Sequence, residues 1–287
     1  MTELPEELAA LTDAGVPYTV RKPEDAPAPD ALEGERDIEV AARDAARLER
    51  ALAAAGWRRV HTLDGGHLFF VKVERGLWRK LDVKVRPPRR SPAFSLRRRA
   101  PVVAFMGPDG AGKSTLVTEL SERIPLGVRV AYLGGGGSPA RSVPRPPRGA
   151  TRQVAGVCKD AGRAARRLLR EHWAALRGSI VLCDRHPKEL LAVRPARHRV
   201  AAGLERFLVR RLFPAPDAYV VLEAPAEILR ARKPEHPLER LDAWAAAYRD
   251  EFGPEGATFV DTSGGRDESF VAASEAVWSA LVRRGGS

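Results

Sequence analysis

The sequence predicts an α/β protein in which a three-layer parallel sheet is preceded by a small α+β domain. Beyond residue 100, short apolar runs of strand type alternate with longer amphipathic runs of helical spacing, which is typical of a parallel sheet with helices on both faces. Before residue 86 the runs are shorter and the two types are mixed, as in a small α+β domain. A Pro- and Arg-rich stretch separates the two patterns.

The first part contains two runs with helical spacing, at residues 5–12 and 42–55. Its predicted strands are residues 18–21, 37–41, 57–61, 68–73 and 78–85. The stretch 86–100 has neither period, and its prolines and arginines predict a linker. The predicted division is therefore a domain of residues 1–86, a linker of residues 87–100 and a second domain of residues 101–287.

The second part begins the strand and helix alternation. Its predicted strands, all expected to be buried, are residues 102–105, 128–132, 180–183, 219–222 and 258–260. Its predicted helices are residues 113–124, 151–176, 200–212, 238–252 and 268–283. A Gly- and Pro-rich stretch at 134–149 predicts a long loop. Ligands of such sheets bind at the carboxyl ends of the strands.

The composition limits the classes of function. The chain starts with acidic residues and has no apolar run of membrane-spanning length, so we expect a cytoplasmic protein without a membrane partner. Cys158 and Cys183 lie far apart and lack metal-ligand spacing, which disfavours a disulfide framework or a zinc site. The net charge of +11 favours an anionic partner without choosing between a nucleotide, a polyphosphate and RNA.

Residues 107–114 read Gly-Pro-Asp-Gly-Ala-Gly-Lys-Ser and match the P-loop pattern between a predicted strand and a predicted helix. Glycines allow successive backbone N–H groups to converge on phosphate oxygens, and the helix start adds its dipole. Lys113 is expected to reach the β and γ phosphates, and Ser114 to ligate Mg²⁺. The predicted cofactors are thus ATP and Mg²⁺. The predicted nucleotide-binding residues are Gly107, Asp109, Gly110, Ala111, Gly112, Lys113, Ser114 and Thr115.

Two segments together resemble thymidylate kinases: the P-loop with its acidic Asp109, and residues 180–186, which read Ile-Val-Leu-Cys-Asp-Arg-His. The resemblance implies that Asp109 faces the acceptor, that Asp184 lies near metal and acceptor, and that Arg185 holds the acceptor's phosphate. Phosphoryl transfer needs cations along the transferred group and a carboxylate that organises metal or nucleophile. The alternative is a surface Asp-Arg pair without a function.

Residues 219–233 resemble the part of the same family that leads into a mobile lid. Because the P-loop has Ala111 and no arginine, we expect Arg230, Arg232 and Lys233 to supply positive charge during transfer. Each of them could equally be a solvated helix charge. The predicted catalytic residues are Lys113, Asp184, Arg185, Arg230 and Arg232, and the predicted metal ligands are Ser114 and Asp184.

The acceptor region, residues 133–178, departs from the family and contains no recognisable contact for a base. It carries a basic predicted helix instead. The predicted acceptor-binding residues are Asp109, Arg185, Arg163 and Arg167.

In the first part, Asp37, Glu39 and Asp82 resemble the acidic triad of nucleotidyltransferases. Strand alternation places Asp37 and Glu39 on one face, and Asp82 on a neighbouring strand would complete a two-metal site. The upstream Gly-Ser turn is missing and Glu39 replaces the commoner Asp, so we expect reduced or absent transferase activity. Polar residues on an exposed sheet face are the alternative.

These motifs predict an ATP-dependent phosphotransferase acting on a small anionic acceptor, with a nucleoside monophosphate as the first candidate. One alternative is a kinase for a non-nucleotide small molecule in a biosynthetic pathway. Another is an ATP-gated nucleic-acid-binding protein that uses residues 86–99 as a basic arm; Phe94 is the only aromatic residue there, which disfavours base stacking. A homodimer is also left open.

Overall fold

The computed structural model describes residues 5–22, 34–60, 66–87, 99–134, 149–193 and 198–285. Most of the predicted linker and most of the predicted loop at 134–149 therefore lie outside the described residues. The described chain forms two five-stranded sheets, one from the first 86 residues and one from the remainder. The residue boundaries between domains stay a prediction.

The N-terminal sheet has the strand order β1-β2-β5-β4-β3, in which β2 and β5 are parallel and the other pairs antiparallel. Its elements are α1 (Glu6–Asp13), β1 (Thr19–Arg21), β2 (Gly34–Ala41), α2 (Ala45–Ala54), β3 (Arg58–Val60), β4 (His67–Glu74) and β5 (Leu77–Arg86). Apolar residues of both helices, such as Leu11 and Leu48, share a buried cluster with Ile38 and Val83 from the strands. The helices therefore cover one face of a mixed sheet, as the α+β prediction required.

The C-terminal sheet is fully parallel, with the order β10-β9-β6-β8-β7. Its strands are β6 (Val102–Met106), β7 (Val128–Tyr132), β8 (Ile180–Asp184), β9 (Ala218–Glu223) and β10 (Thr258–Asp261). The helices are α3 (Lys113–Arg123), α4 (Ala150–Leu176), α5 (Glu189–Ala192), α6 (Arg199–Arg211), α7 (Ala226–Arg232), α8 (Leu238–Phe252) and α9 (Arg266–Gly285). The strand that carries the P-loop is thus the central strand.

Helices cover both faces of this sheet. Alternate residues of β6 enter two different clusters, because successive side chains of a strand point to opposite faces. Phe105 packs in the cluster that contains α3 and α9, whereas Ala104 packs in the cluster that contains α4 and α6. The predicted three-layer P-loop fold is confirmed. No helix in the described ranges is both long and apolar enough to cross a membrane.

Two kinds of sequence prediction about the elements were wrong. β7 and β10 were expected to be buried, but both are edge strands: Val130 and Tyr132 of β7 are 48% and 60% exposed, and Thr258 of β10 is exposed. A short apolar run predicts a strand and does not give its place in the sheet. The short helix α5 was not predicted, because four residues carry too little periodicity.

The two sheets are joined through α9, which packs against β3 and β4. Val71 and Trp78 belong to the same buried cluster as Val277 of α9. The ring of Trp78 also meets that of Trp278 edge to face, with 6.1 Å between centroids, a favourable aromatic geometry. The N-terminal sheet is therefore covered by the C-terminal helix on one face and by its own helices on the other.

A buried carboxylate connects three segments at the edge of the C-terminal sheet where strands β6 and β9 begin. Asp217 accepts hydrogen bonds from both terminal nitrogens of Arg99, at 2.7 and 3.0 Å, and from the backbone N–H of Val102 at 2.7 Å. Nε of Arg284, at the end of α9, donates to the same carboxylate at 2.6 Å. The start of β6, the start of β9 and the end of α9 are thereby held together.

Candidate active site

The P-loop has the backbone conformation that its glycines allow. Gly107, Gly110 and Gly112 have φ of 136°, 88° and 83°, values that other residues rarely adopt. A Cβ at Gly107 would lie 2.2 Å from the carbonyl oxygen of Leu222, and one at Gly110 would lie 2.6 Å from that of Leu229. A Cβ at Gly112 would meet nothing within 4 Å. The first two glycines are thus required by close packing and the third by its dihedral angle.

Lys113 is the first residue of α3 and lies across this loop. Its side chain is buried, and Nζ donates to the carbonyl oxygens of Gly107 and Pro108, both at 2.7 Å. Burial, with a contribution from the charge of Arg185, lowers the pKa of Lys113 to about 8. The ammonium is therefore held at the loop that the sequence assigns to the phosphates.

Ser114 and Asp184 are 70 residues apart in the chain, and the structure brings them together. The Ser114 hydroxyl donates to Oδ2 of Asp184 at 2.6 Å. Oδ1 of Asp184 is buried and has no hydrogen-bond partner among the described residues. A buried carboxylate oxygen without a protein donor can accept from water or bind an ion, and carboxylate and hydroxyl oxygens suit Mg²⁺. The residues present therefore fit the predicted metal site.

Arg185 follows β8 in a left-handed backbone conformation, with φ of 71°. Its guanidinium lies between two carboxylates: Nη1 donates to Oε2 of Glu189 at 3.0 Å, and Nη2 donates to Asp109 of the P-loop. Burial opposes the charged form, but Glu189 and Asp109 outweigh it and raise the pKa of Arg185. Asp109 and Arg185, both predicted to contact the acceptor, are therefore direct partners.

Asp109 also attracts two groups from the segment between α7 and α8. Lys233 Nζ lies 3.8 Å and His236 Nε2 lies 3.6 Å from its Oδ2. Burial raises the pKa of Asp109, but the charges of Arg185, Lys113 and Lys233 prevail and lower it. One carboxylate of the P-loop is therefore surrounded by basic side chains from three different segments.

Arg230 and Arg232, which were predicted to supply charge during transfer, lie at the end of α7. Arg230 is exposed. Nη2 of Arg232 donates to the carbonyl oxygen of Thr262 at 2.6 Å, just beyond β10. Lys233 is the member of this basic cluster that approaches the P-loop carboxylate. The catalytic role of the two arginines stays a prediction.

A cavity of about 640 Å³ opens beside the P-loop, within the usual range for small-molecule sites. Its wall includes all four residues predicted to bind the acceptor: Asp109, Arg185, Arg163 and Arg167. The remaining polar wall consists of Asp160, Glu189, Glu205, His186, Tyr132 and Tyr248, with the backbone of Gly107 and Gly134. Apolar wall residues include Val157, Leu190, Val193, Leu208, Phe213 and Trp244.

The sequence prediction missed several wall residues, and two of them are linked to Arg185 by hydrogen bonds. Glu189 accepts from Arg185 with one oxygen and from the Tyr248 hydroxyl with the other. The four-residue spacing from Arg185 is not a helical signal, because α5 begins only at Glu189 and residues 185–188 are not helical, so the local sequence does not identify Glu189. Tyr248 lies in the middle of α8, and nothing in the local sequence marks it.

In the N-terminal sheet, Asp37 and Asp82 are direct neighbours on the parallel strands β2 and β5. Carboxylate oxygens of Glu35, Asp37 and Asp82 lie within 4.8 Å of one another. Glu39, the third predicted member, instead pairs with Arg86 at 2.9 Å. The group of three neighbouring carboxylates in the structure therefore contains Glu35 instead of Glu39.

The environment of Asp82 differs from that of a solvated surface carboxylate. Nδ1 of His67 lies 2.7 Å from its Oδ1. Burial raises the pKa of Asp82, the charge of Asp37 adds to this effect, and the contact with His67 opposes it. A nucleotidyltransferase-like role stays a prediction.

No protein-family model and no curated protein matches this chain. Among solved structures, the thymidylate kinase of Ehrlichia chaffeensis is similar at 15% identity and a TM-score of 0.39, covering 61% of this chain and 96% of that one. The thymidylate kinase of Candida albicans is similar at 14% identity and a TM-score of 0.41, covering 64% and 92%. At this identity and TM-score, neither similarity assigns an activity to the chain.

Proposed function

We propose that this protein is an ATP- and Mg²⁺-dependent phosphotransferase that moves the γ-phosphoryl group of ATP to a small acceptor bound in the cavity beside the P-loop. The observation that carries the proposal is the juxtaposition of Lys113 and the Ser114–Asp184 pair with that cavity. A phosphate-binding loop beside a cavity for the acceptor is the arrangement that transfer between two bound molecules needs.

In this proposal Ser114 and Asp184 hold Mg²⁺, which neutralises charge on the phosphates. Lys113 contacts the β and γ phosphates, while Asp109 and Arg185 orient the acceptor. Lys233 is close enough to Asp109 to add positive charge at the point of transfer. Arg230 and Arg232 keep their predicted role as a further source of charge.

A nucleoside monophosphate is the first candidate acceptor, with its phosphate at Arg185 and its base among the apolar residues of the wall. Arg167 on α4 favours an anionic acceptor, while Arg163 is paired with Asp160 of the same wall. A non-nucleotide small molecule is the second candidate, favoured by the apolar contribution of Val157, Leu208 and Phe213. The ATP-gated nucleic-acid-binding hypothesis depends on an arm that lies almost wholly outside the described residues.

The test is a panel of acceptors offered with ATP and Mg²⁺: nucleoside monophosphates, nucleosides, and phosphorylated and free sugars, with ADP and phosphorylated product both measured. We expect acceptor-dependent ADP release that Asp184→Asn abolishes and that Asp37→Ala leaves intact. Loss of transfer in Asp37→Ala would place the chemistry in the N-terminal sheet. Absence of any binding of ATP with Mg²⁺ would refute the proposal as a whole.

A further inference from the structure

We propose that Glu189 and Tyr248 are positioning residues that fix Arg185 beside the P-loop, so that the acceptor is held at a fixed position relative to the triphosphate. The inference rests on the proposed function, because Arg185 is the acceptor contact in that function. It concerns two residues of the cavity wall: Glu189, which contacts Arg185 directly, and Tyr248, which contacts Arg185 through Glu189.

A series of side-chain contacts begins at one residue of the P-loop and ends at another. The Tyr248 hydroxyl donates to Oε1 of Glu189, and Oε2 of Glu189 accepts from Arg185. Arg185 in turn donates to Asp109. The Tyr248 oxygen also lies 3.3 Å from the carbonyl oxygen of Gly107. These contacts thus link Gly107 and Asp109 of the P-loop through residues of α8, α5 and the segment after β8.

The Tyr248–Glu189 end of this series of hydrogen bonds is buried. Tyr248 is 2% exposed, and burial together with the charge of Glu189 raises the pKa of its phenol. The hydroxyl therefore keeps its proton and acts as a donor to the carboxylate. A charge-assisted hydrogen bond in a buried site is among the stronger polar contacts in proteins. With Tyr248 in place, both Glu189 oxygens are used, and the carboxylate has one orientation.

Arg185 itself has little freedom. Its left-handed backbone is fixed by a hydrogen bond from its N–H to the carbonyl oxygen of Phe105 at 2.9 Å. A Cβ added to Gly134 would lie 2.8 Å from Cδ of Arg185, so the stem of the arginine packs directly on the Gly134 backbone. A strained backbone that persists in a packed site indicates a constraint set by function. What remains adjustable is the guanidinium, and Glu189 and Asp109 set its orientation.

Tyr248→Phe tests this series of contacts with a minimal change, since it removes only the hydroxyl. We expect kcat/KM for the acceptor to fall about tenfold, the typical effect of one lost charge-assisted hydrogen bond, while KM for ATP is unchanged. In an Arg185→Lys background the same substitution should change kcat/KM less than about twofold, because coupled residues are not additive. Tyr219→Phe is the matched control, since this buried tyrosine packs against His186 and Phe252, and it should behave as wild type.

Full additivity of Tyr248→Phe and Arg185→Lys, or an equal rise of KM for ATP and acceptor, would overturn the positioning role. A second measurement separates this inference from the proposed function: the rate at which phenylglyoxal modifies Arg185 in the full-length protein, followed by mass spectrometry. Tyr248→Phe and Glu189→Gln should each speed this modification several-fold, with Arg210 as an exposed internal standard. Should no acceptor be phosphorylated while Arg185 becomes more reactive, the proposed function fails and the positioning contact stands; unchanged reactivity refutes the contact.

Discussion

Alanine at two glycines of the P-loop should destabilise the protein to different extents. Both Gly107 and Gly112 have positive φ, so alanine at either position costs about 1–2 kcal/mol of backbone strain. At Gly107 the new methyl group would also lie 2.2 Å from the carbonyl oxygen of Leu222 in β9, which requires the loop or the strand to move. Forced repacking of this kind costs a further ~1–3 kcal/mol.

Gly107→Ala should therefore lower the free energy of unfolding by about 2–5 kcal/mol and Gly112→Ala by about 1–2 kcal/mol. At about 2–4 °C per kcal/mol, differential scanning calorimetry resolves this difference in Tm. Gly112→Ala should keep most of the stability but lose affinity for ATP, measured by isothermal titration calorimetry, because its methyl group enters the open side of the loop. Equal losses of Tm in the two variants would refute the reasoning from the Leu222 contact.

Three further predictions concern the charge and packing described above. Asp217→Ala should lower the free energy of unfolding by about 3–5 kcal/mol in urea titrations, because it leaves a buried arginine unpaired; a loss below about 1 kcal/mol would contradict this. Because burial lowers the pKa of Lys113 to about 8, ATP affinity measured by calorimetry should fall as pH rises above that value, and Lys113→Arg should remove this dependence. Gly76→Ala should lower Tm without weakening ATP binding, since its Cβ would lie 2.7 Å from Cα of Val271. Gly15→Ala, with positive φ and no atom within 4 Å, is the control that isolates backbone strain.

The part of the site that the sequence predicted best depends on local signals. The P-loop is a contiguous pattern in which each residue has a required type, so its conformation could be predicted from eight positions. The meeting of Ser114 and Asp184 was also foreseeable. Ser114 follows β6 after the P-loop and Asp184 ends β8, and the carboxyl ends of strands in a parallel sheet lie along one edge. The structure adds that their strands, β6 and β8, are adjacent.

What the sequence did not predict depends on which elements become neighbours in space. Tyr248 belongs to a helix that lies beside the P-loop only in the folded chain. Glu35 rather than Glu39 lies beside Asp37 and Asp82, although each of the two glutamates pairs with a basic side chain of β5, Glu35 with Lys80 and Glu39 with Arg86. Arg232 donates to Thr262 because α7 and β10 end side by side. Such tertiary contacts leave no periodicity in the chain from which they could be inferred.

The packing of α9 under the N-terminal sheet has a consequence for the order in which the protein acquires its structure. Trp78 is made early in translation, whereas Val277 and Trp278, which cover it, emerge from the ribosome about two hundred residues later. At a translation rate of ~5–20 residues per second, the face of the N-terminal sheet that α9 later covers remains exposed to solvent for about ten seconds or more. Its own helices must support it during that interval, and its final desolvation coincides with the arrival of α9.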